Sequence, residues 1–153
     1  MAGREADTID KVILHALQED ARNLSSRQIA ERTGTSDSTV RKRIQRLESN
    51  NIIKGYSAEI DYQQSGYPIQ MLLYCTASIS ERGNIVSDIL LIDGVVSVQE
   101  LLTGEQNLLV TVVAESDNEV TSVAQKIHDM GLSITDEVLV RTHETTPLGK
   151  FIS

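Results

Sequence analysis

Four cationic side chains, Arg41, Lys42, Arg43 and Arg46, crowd into the stretch STVRKRIQRLES, residues 38–49, of a chain whose formal net charge is -8. Guanidinium and ammonium groups at this density neutralise phosphates, and a guanidinium also matches the O6 and N7 edge of guanine. Ser36, Ser38 and Thr39 stand at the head of the run, where short hydroxyls reach base edges or phosphate oxygens. Asp37 between them favours a helix N-terminus and has the acceptor geometry for cytosine N4. The chemistry on offer is recognition of a duplex rather than the making of bonds.

The elements that would position these groups are legible in the first 55 residues. Ile9, Val12, Ile13, Ala16 and Leu17 recur at helical spacing, which predicts a helix over Thr8 to Glu19. Ser25 with Gln28 has the capping-box form and opens a second helix carrying Ile29 and Ala30 inward. Gly34 supplies the positive φ that closes it, and Ser36 offers an N-cap oxygen to a third helix running to about Ser49. On that third helix Val40, Ile44 and Leu47 form one narrow apolar stripe. Ser38, Lys42, Gln45 and Arg46 fall on the opposite side, with Thr39, Arg41 and Arg43 on the flanks. Two helices joined by a short Gly-containing turn, the second presenting hydroxyls and cations, is the arrangement that fits a major groove. A solvated charged face is the plainer reading of any such run. The turn spacing, the local charge and the hydroxyls at the helix start favour the groove.

Composition supports this despite the acidity of the whole. Residues 1–55 hold 10 Lys+Arg against 8 Asp+Glu, and residues 56–153 hold 4 against 14. The field a polyanion meets is local, screened beyond roughly 8 to 10 Å at physiological salt, so the overall acidity does not exclude nucleic acid. A single cysteine, Cys75, cannot form a disulfide within the chain. With no apolar run long enough to span a bilayer, a cytoplasmic protein without a membrane role is expected.

After residue 55 the period changes. "YSAEIDY" reads as a strand, and "QQSGYP" reads as a polar hinge ending at Pro68. Beyond it, "QMLLYCTASI" is strand-like, "NIVSDILLID" is helical with Ile85, Ile89 and Ile92 in register, and "VVSVQELL" is strand-like again. "LLVTVVA" follows the turn "TGEQN". Ser116 and Glu119 have capping-box spacing for a second helix, with Val120, Val123, Ala124 and Ile127 inward and Gly131 at its end. "EVLVRT" completes a βαββαβ, ferredoxin-like order with both helices on one sheet face. Positions 71, 73, 75, 77 and 79 are apolar on one side of the first strand, yet Leu72 and Tyr74 point to the other, joined there by Leu109 and Val113. A sheet apolar on both faces predicts a second subunit packed sheet to sheet, with the two-fold symmetry that paired reading helices need.

On "DTIDKVILHALQEDAR", "IAERTGTSDSTVRKRIQRLE", "IIKGYSAEI" and the βαββαβ region with "TGEQNLLV", the chain resembles the Lrp/AsnC family of prokaryotic transcription regulators over essentially its whole length. The resemblance implies an α+β protein. It has an N-terminal winged or three-helix helix-turn-helix domain (1–55), a strand and hinge linker (56–68) and a C-terminal ferredoxin-like dimerisation and effector domain (69–153). It implies a homodimer, in some members extended to a tetramer or octamer, bound to a palindromic double-stranded DNA operator. It also places DNA contacts at Ser36, Ser38, Thr39, Arg41, Lys42, Arg43 and Arg46. No cofactor is implied, but an amino-acid effector is, at a Gly-x-x-Asp loop whose counterpart here is Gly104, Glu105, Gln106 and Asn107. Asn107 lacks the charge that would meet an α-ammonium, and Glu105 could supply it. A plain hairpin turn explains Gly104 and Asn107 equally well.

Two other classes compete. The sirohaem decarboxylases resemble this two-domain architecture, but the second half offers only Arg82, Lys126, Arg141 and Lys150 with two histidines among 14 acids, a poor field for a polycarboxylate. A metabolite sensor that no longer reads DNA is the other. His15, His128 and His143 lack metal-ligand spacing, and no catalytic constellation stands out.

Overall fold

The computed structural model describes residues 6–78, 82–102 and 104–153. The chain divides into two compact units, one of residues 1–58 with 144–153 and one of residues 59–143.

The first unit holds α1 (Thr8–Asp20), α2 (Ser26–Thr33) and α3 (Asp37–Ser49). Each begins on a side-chain cap. Ser25 and Gln28 form the expected capping box, the Ser25 Oγ accepting from Gln28 N–H at 3.2 Å and the Gln28 Oε1 from Ser25 N–H at 2.9 Å. Gly34 closes α2 at φ 70 and donates its N–H to the Ala30 carbonyl at 2.9 Å. Ser36 caps α3 by accepting from Thr39 N–H at 3.2 Å. The cap of α1 is Asp7, in a box with Asp10 that the periodicity of Ile9 to Leu17 did not expose. Ile13, Ala16, Ile29, Ala30, Val40 and Leu47 make one buried cluster, with Ile44 packed against its side.

Residues 54–61 form neither helix nor strand, so the strand expected over "YSAEIDY" is absent. Of its alternate positions Tyr56 and Ile60 are more than half exposed, leaving no buried face to hold a strand. The last ten residues pack with this first unit. A 3-10 turn at Gly149–Phe151 lies against α1, and Leu148 N–H donates to Gln18 Oε1 at 3.2 Å.

The second unit has the expected order: β1 (Ile69–Thr76), α4 (Arg82–Ile89), β2 (Val95–Glu100), β3 (Leu108–Ala114), α5 (Asp117–Asp129) and β4 (Ser133–Leu139). All pairings are antiparallel in the sheet order β2-β3-β1-β4. Leu73, Cys75, Ala77, Leu108, Val110 and Val112 on one face meet Ile85, Ile89, Val123 and Ile127 of the two helices. Burial pushes the Cys75 thiol up to about 11, as suits a small apolar core residue. Ile79, placed on this face by the alternation, lies outside the described residues.

Two local expectations are corrected here. β4 begins at Ser133, four residues before "EVLVRT", because Cys75 and Thr76 pair with Ile134 and Ser133. Ser116 is the N-cap of α5 but makes no side-chain cap bond. The Glu119 Oε2 accepts instead from Glu115 N–H at 2.8 Å, one residue earlier than a capping box requires.

Candidate nucleic-acid interface

The stripe of Val40, Ile44 and Leu47 fixes which way α3 faces. With Val40 and Leu47 buried in the three-helix core, Ser38, Arg41, Lys42 and Gln45 are turned to solvent. The hydroxyls at the helix start are already organised. The Ser36 Oγ lies 2.8 Å from the Thr39 Oγ1 and 3.2 Å from the Ser38 Oγ, so the capping oxygen links the two. Ser36 therefore serves the helix first, and Ser38 beside it is exposed.

The four cations divide sharply. Arg41 pairs along the helix with Asp37 at 2.7 Å, an exposed contact one turn apart. Lys42 has no carboxylate partner among the described residues. Arg43 and Arg46 turn back onto α1. The Arg46 guanidinium donates to both oxygens of Asp10, at 3.0 and 2.8 Å, and that carboxylate is almost wholly buried. Arg43 donates to both oxygens of Asp7, at 2.8 and 2.7 Å, and to Asp10 at 3.1 Å. The sequence reading placed Arg46 on the outward face opposite the stripe. It is drawn aside because Asp10, sealed between helices, requires a compensating charge. A helical wheel gives the direction of a side chain and not its partner.

The same pairing perturbs titration. The Asp7 carboxyl is held below its ordinary range, first by the hydrogen bond from Arg43 and then by Asp10 N–H, and Arg43 is raised chiefly by Asp7. Asp7 and Asp10 thus have two tasks, capping α1 and fastening α3 to it. Sequence reasoning missed this clasp, although two acidic residues three apart just ahead of an apolar run were its visible signal. Arg27 and Lys54 are further exposed cations of this unit that the motif did not include.

In the second unit the loop read either as an effector site or as a plain turn connects β2 to β3. Gly104 takes φ +104, the Glu105 carbonyl accepts from Thr76 Oγ1 at 3.1 Å, and the Glu105 side chain is exposed. Gln106 donates through Nε2 to Thr135 Oγ1 at 2.9 Å. Asn107 is buried, and its carboxamide is consumed by one residue, accepting from Ala77 N–H at 2.8 Å and donating to the Ala77 carbonyl at 2.7 Å. It closes the end of the β1–β3 pairing. No group of three metal-ligating side chains occurs among the described residues, nor does a helix there reach the length and apolarity needed to cross a membrane.

A capped helix pair with a polar outer face, joined in one chain to a βαββαβ unit, is the architecture of a helix-turn-helix DNA-binding regulator. The winged helix-turn-helix DNA-binding family matches residues 7–54. The HTH-type transcriptional regulator FL11 of Pyrococcus horikoshii is 29% identical over 145 residues, covering 93% of this chain and 95% of the relative. An uncharacterised HTH-type transcriptional regulator of the same organism is 30% identical over 115 residues, covering 75% of this chain and 72% of the relative. LrpA of Mycobacterium tuberculosis is 29% identical over 148 residues, 96% of this chain and 93% of that one. Among solved structures, the leucine response regulatory protein LrpA of M. tuberculosis superposes with TM-score 0.79 over 93% of this chain and 97% of its own at 24% identity. The feast or famine regulatory protein of the same organism, complexed with L-methionine, gives 0.79 over 93% and 96%. The chain belongs to the Lrp/AsnC family of HTH-type transcription regulators.

Proposed function

We propose that this regulator reads its operator through the solvent face of α3, with Ser38, Thr39 and Lys42 at the base edges and Arg41 reaching phosphate by exchanging Asp37 for it. The observation that carries the reading is the orientation of α3. Its apolar stripe is buried in its own unit, and its hydroxyls and its one unpaired cation among the described residues face outward. Ser36 acts as the cap that orders these hydroxyls, and Arg43 and Arg46 act mainly through α1. Arg27 and Lys54 add phosphate contacts.

The outer face of the sheet supports a homodimer, the unit from which a tetramer or octamer would be assembled. Leu72, Tyr74 and Leu109 are adjacent on it through the β1–β3 register, and Val138 continues the patch opposite Leu72. Covering that face would remove apolar surface from water and relate two copies of α3 by a two-fold axis. An amino-acid effector is supported by the L-methionine complex of the structural neighbour. Here the Glu105 carboxylate is the group suited to its ammonium, since the Asn107 amide is occupied. The regulator names of the relatives favour binding over catalysis, against the decarboxylase reading.

The experiment is selection of bound fragments from the organism's genome by the full chain, followed by anisotropy titration of the recovered duplex from 50 to 200 mM salt. A pseudo-palindromic fragment, bound with affinity falling steeply in salt, is expected. Recovery of no enriched fragment, together with a thermal shift on adding amino acids, would favour the sensor that has lost DNA binding.

A further inference from the structure

The clasp between α1 and α3 has two halves that differ in burial. Asp10 is 2% exposed, while its partner Arg46 keeps 39% of its side-chain surface. The Asp7 side chain is 52% exposed and its carboxylate stands at the surface, while its partner Arg43, 22% exposed, also reaches Asp10 at 3.1 Å. An exposed ion pair contributes little to folding, because water screens it and two long side chains must be held in one geometry. Asp7 also has no need of its charge to cap α1, since asparagine and serine cap equally well. Capping therefore does not account for the charge, and an exposed pair gains little by fastening α3.

We propose that Asp7 is a specificity-determining residue that holds the Arg43 guanidinium away from the phosphate backbone and so lowers the affinity of this regulator for DNA of arbitrary sequence. The inference rests on the reading of α3 given above. A free guanidinium on that helix flank would release counterions from any duplex it met, raising non-specific and specific binding alike. With its two Oδ atoms 2.7 and 2.8 Å from Arg43 Nη1, Asp7 cancels that sequence-independent attraction. Ser38 and Lys42 are untouched by the pair and keep their access to bases. The ratio of operator to random-sequence affinity is thereby widened from the protein's own side, by a group that touches no base.

The test uses the full chain and a random-sequence 30-base-pair duplex in anisotropy titrations from 50 to 200 mM salt. Asp7→Asn, which preserves the cap, should bind that duplex several-fold more tightly at low salt, with the log–log salt slope steeper by about 0.9 per protomer. Asp7→Ser should behave alike, which guards against an asparagine-specific artefact of folding. In an Arg43→Gln background the Asp7→Asn effect should vanish. Unchanged affinity and slope in both Asp7 variants, or an effect that survives loss of Arg43, would overturn the proposal. Lys42→Glu run alongside separates the two readings. If it abolishes binding while the Asp7 variants behave as the parent, only the role of Asp7 fails; if it binds as the parent does, the reading of α3 fails and this inference with it.

Discussion

Asn107 joins Ala77 through its side chain as one strand joins another, with N–H to Oδ1 at 2.8 Å and Nδ2–H to carbonyl at 2.7 Å. Its own N–H and carbonyl are paired too, with the Cys75 carbonyl and Leu101 N–H, so the residue extends the ladder beyond the last β1–β3 pair, Cys75 with Leu108.

This geometry predicts the effect of restoring an aspartate at position 107. A carboxylate cannot donate to the Ala77 carbonyl, and it would be buried beside that oxygen without a cation. Asn107→Asp should destabilise the second unit by about 2–4 kcal/mol at neutral pH, and Asn107→Ala by about 1–3 kcal/mol. Urea denaturation with the midpoint and slope fitted separately checks it. A neutral Asn107→Asp substitution would mean that the amide is not the closure described here.

The clasp gives a second prediction. Because Asp10 is almost wholly buried with Arg46 on both oxygens, Asp10→Ala should cost about 2–4 kcal/mol, discounted from the fully buried range because Arg46 retains some exposure. The double variant Asp10→Leu with Arg46→Met should recover much of that loss, since no charge is left uncompensated. Thermal melts of the parent, Asp10→Leu, Arg46→Met and the double variant close the cycle, and additive losses would contradict direct coupling.

How far these contacts could be read in advance depended on their range. The capping box of Ser25 and Gln28, the left-handed Gly34 and the cap of Ser36 are local, three residues or fewer, and the sequence states them openly. So are the strand and helix periods that set the βαββαβ order. The pairs Asp10 with Arg46 and Asn107 with Ala77 span 36 and 30 residues. Periodicity specifies which way a side chain leaves its element, and nothing in it names what waits there. "YSAEIDY" failed for the converse reason: its alternation is real, but Tyr56 and Ile60 have no sheet to bury against. Ser116 shows that spacing alone does not make a capping box. Its φ of -146 and the Glu119 bond to the neighbouring Glu115 N–H displace the motif by one residue.

A small share of the acid stability comes from surface carboxylates of the first unit, which are screened by water. Asp7 is held low by Arg43, Glu19 by Arg32, and Asp20 by Asn23 N–H. A folded-state pKa below the unfolded value binds fewer protons in the native state. The stabilisation is therefore fully present above about pH 4 to 5 and is lost as pH falls through the lowered native values. Helical circular dichroism titrated from pH 7 to 2 should hold level down to about pH 4 and then decline. In Asp7→Asn the decline should be shallower, because one of the linked protons is gone. A midpoint well above pH 5 in the parent would contradict these assignments.

The solvent face of α3 is the surface proposed to meet DNA. The most direct measurement is titration of the selected operator duplex with Lys42→Glu, its oligomer mass and melting temperature compared with the parent. Lys42 makes no contact that folding needs, so mass and melting should be unchanged while operator affinity falls at least about a hundredfold, from loss of a contact and like-charge repulsion. Parental affinity in a folded Lys42→Glu protein would contradict it.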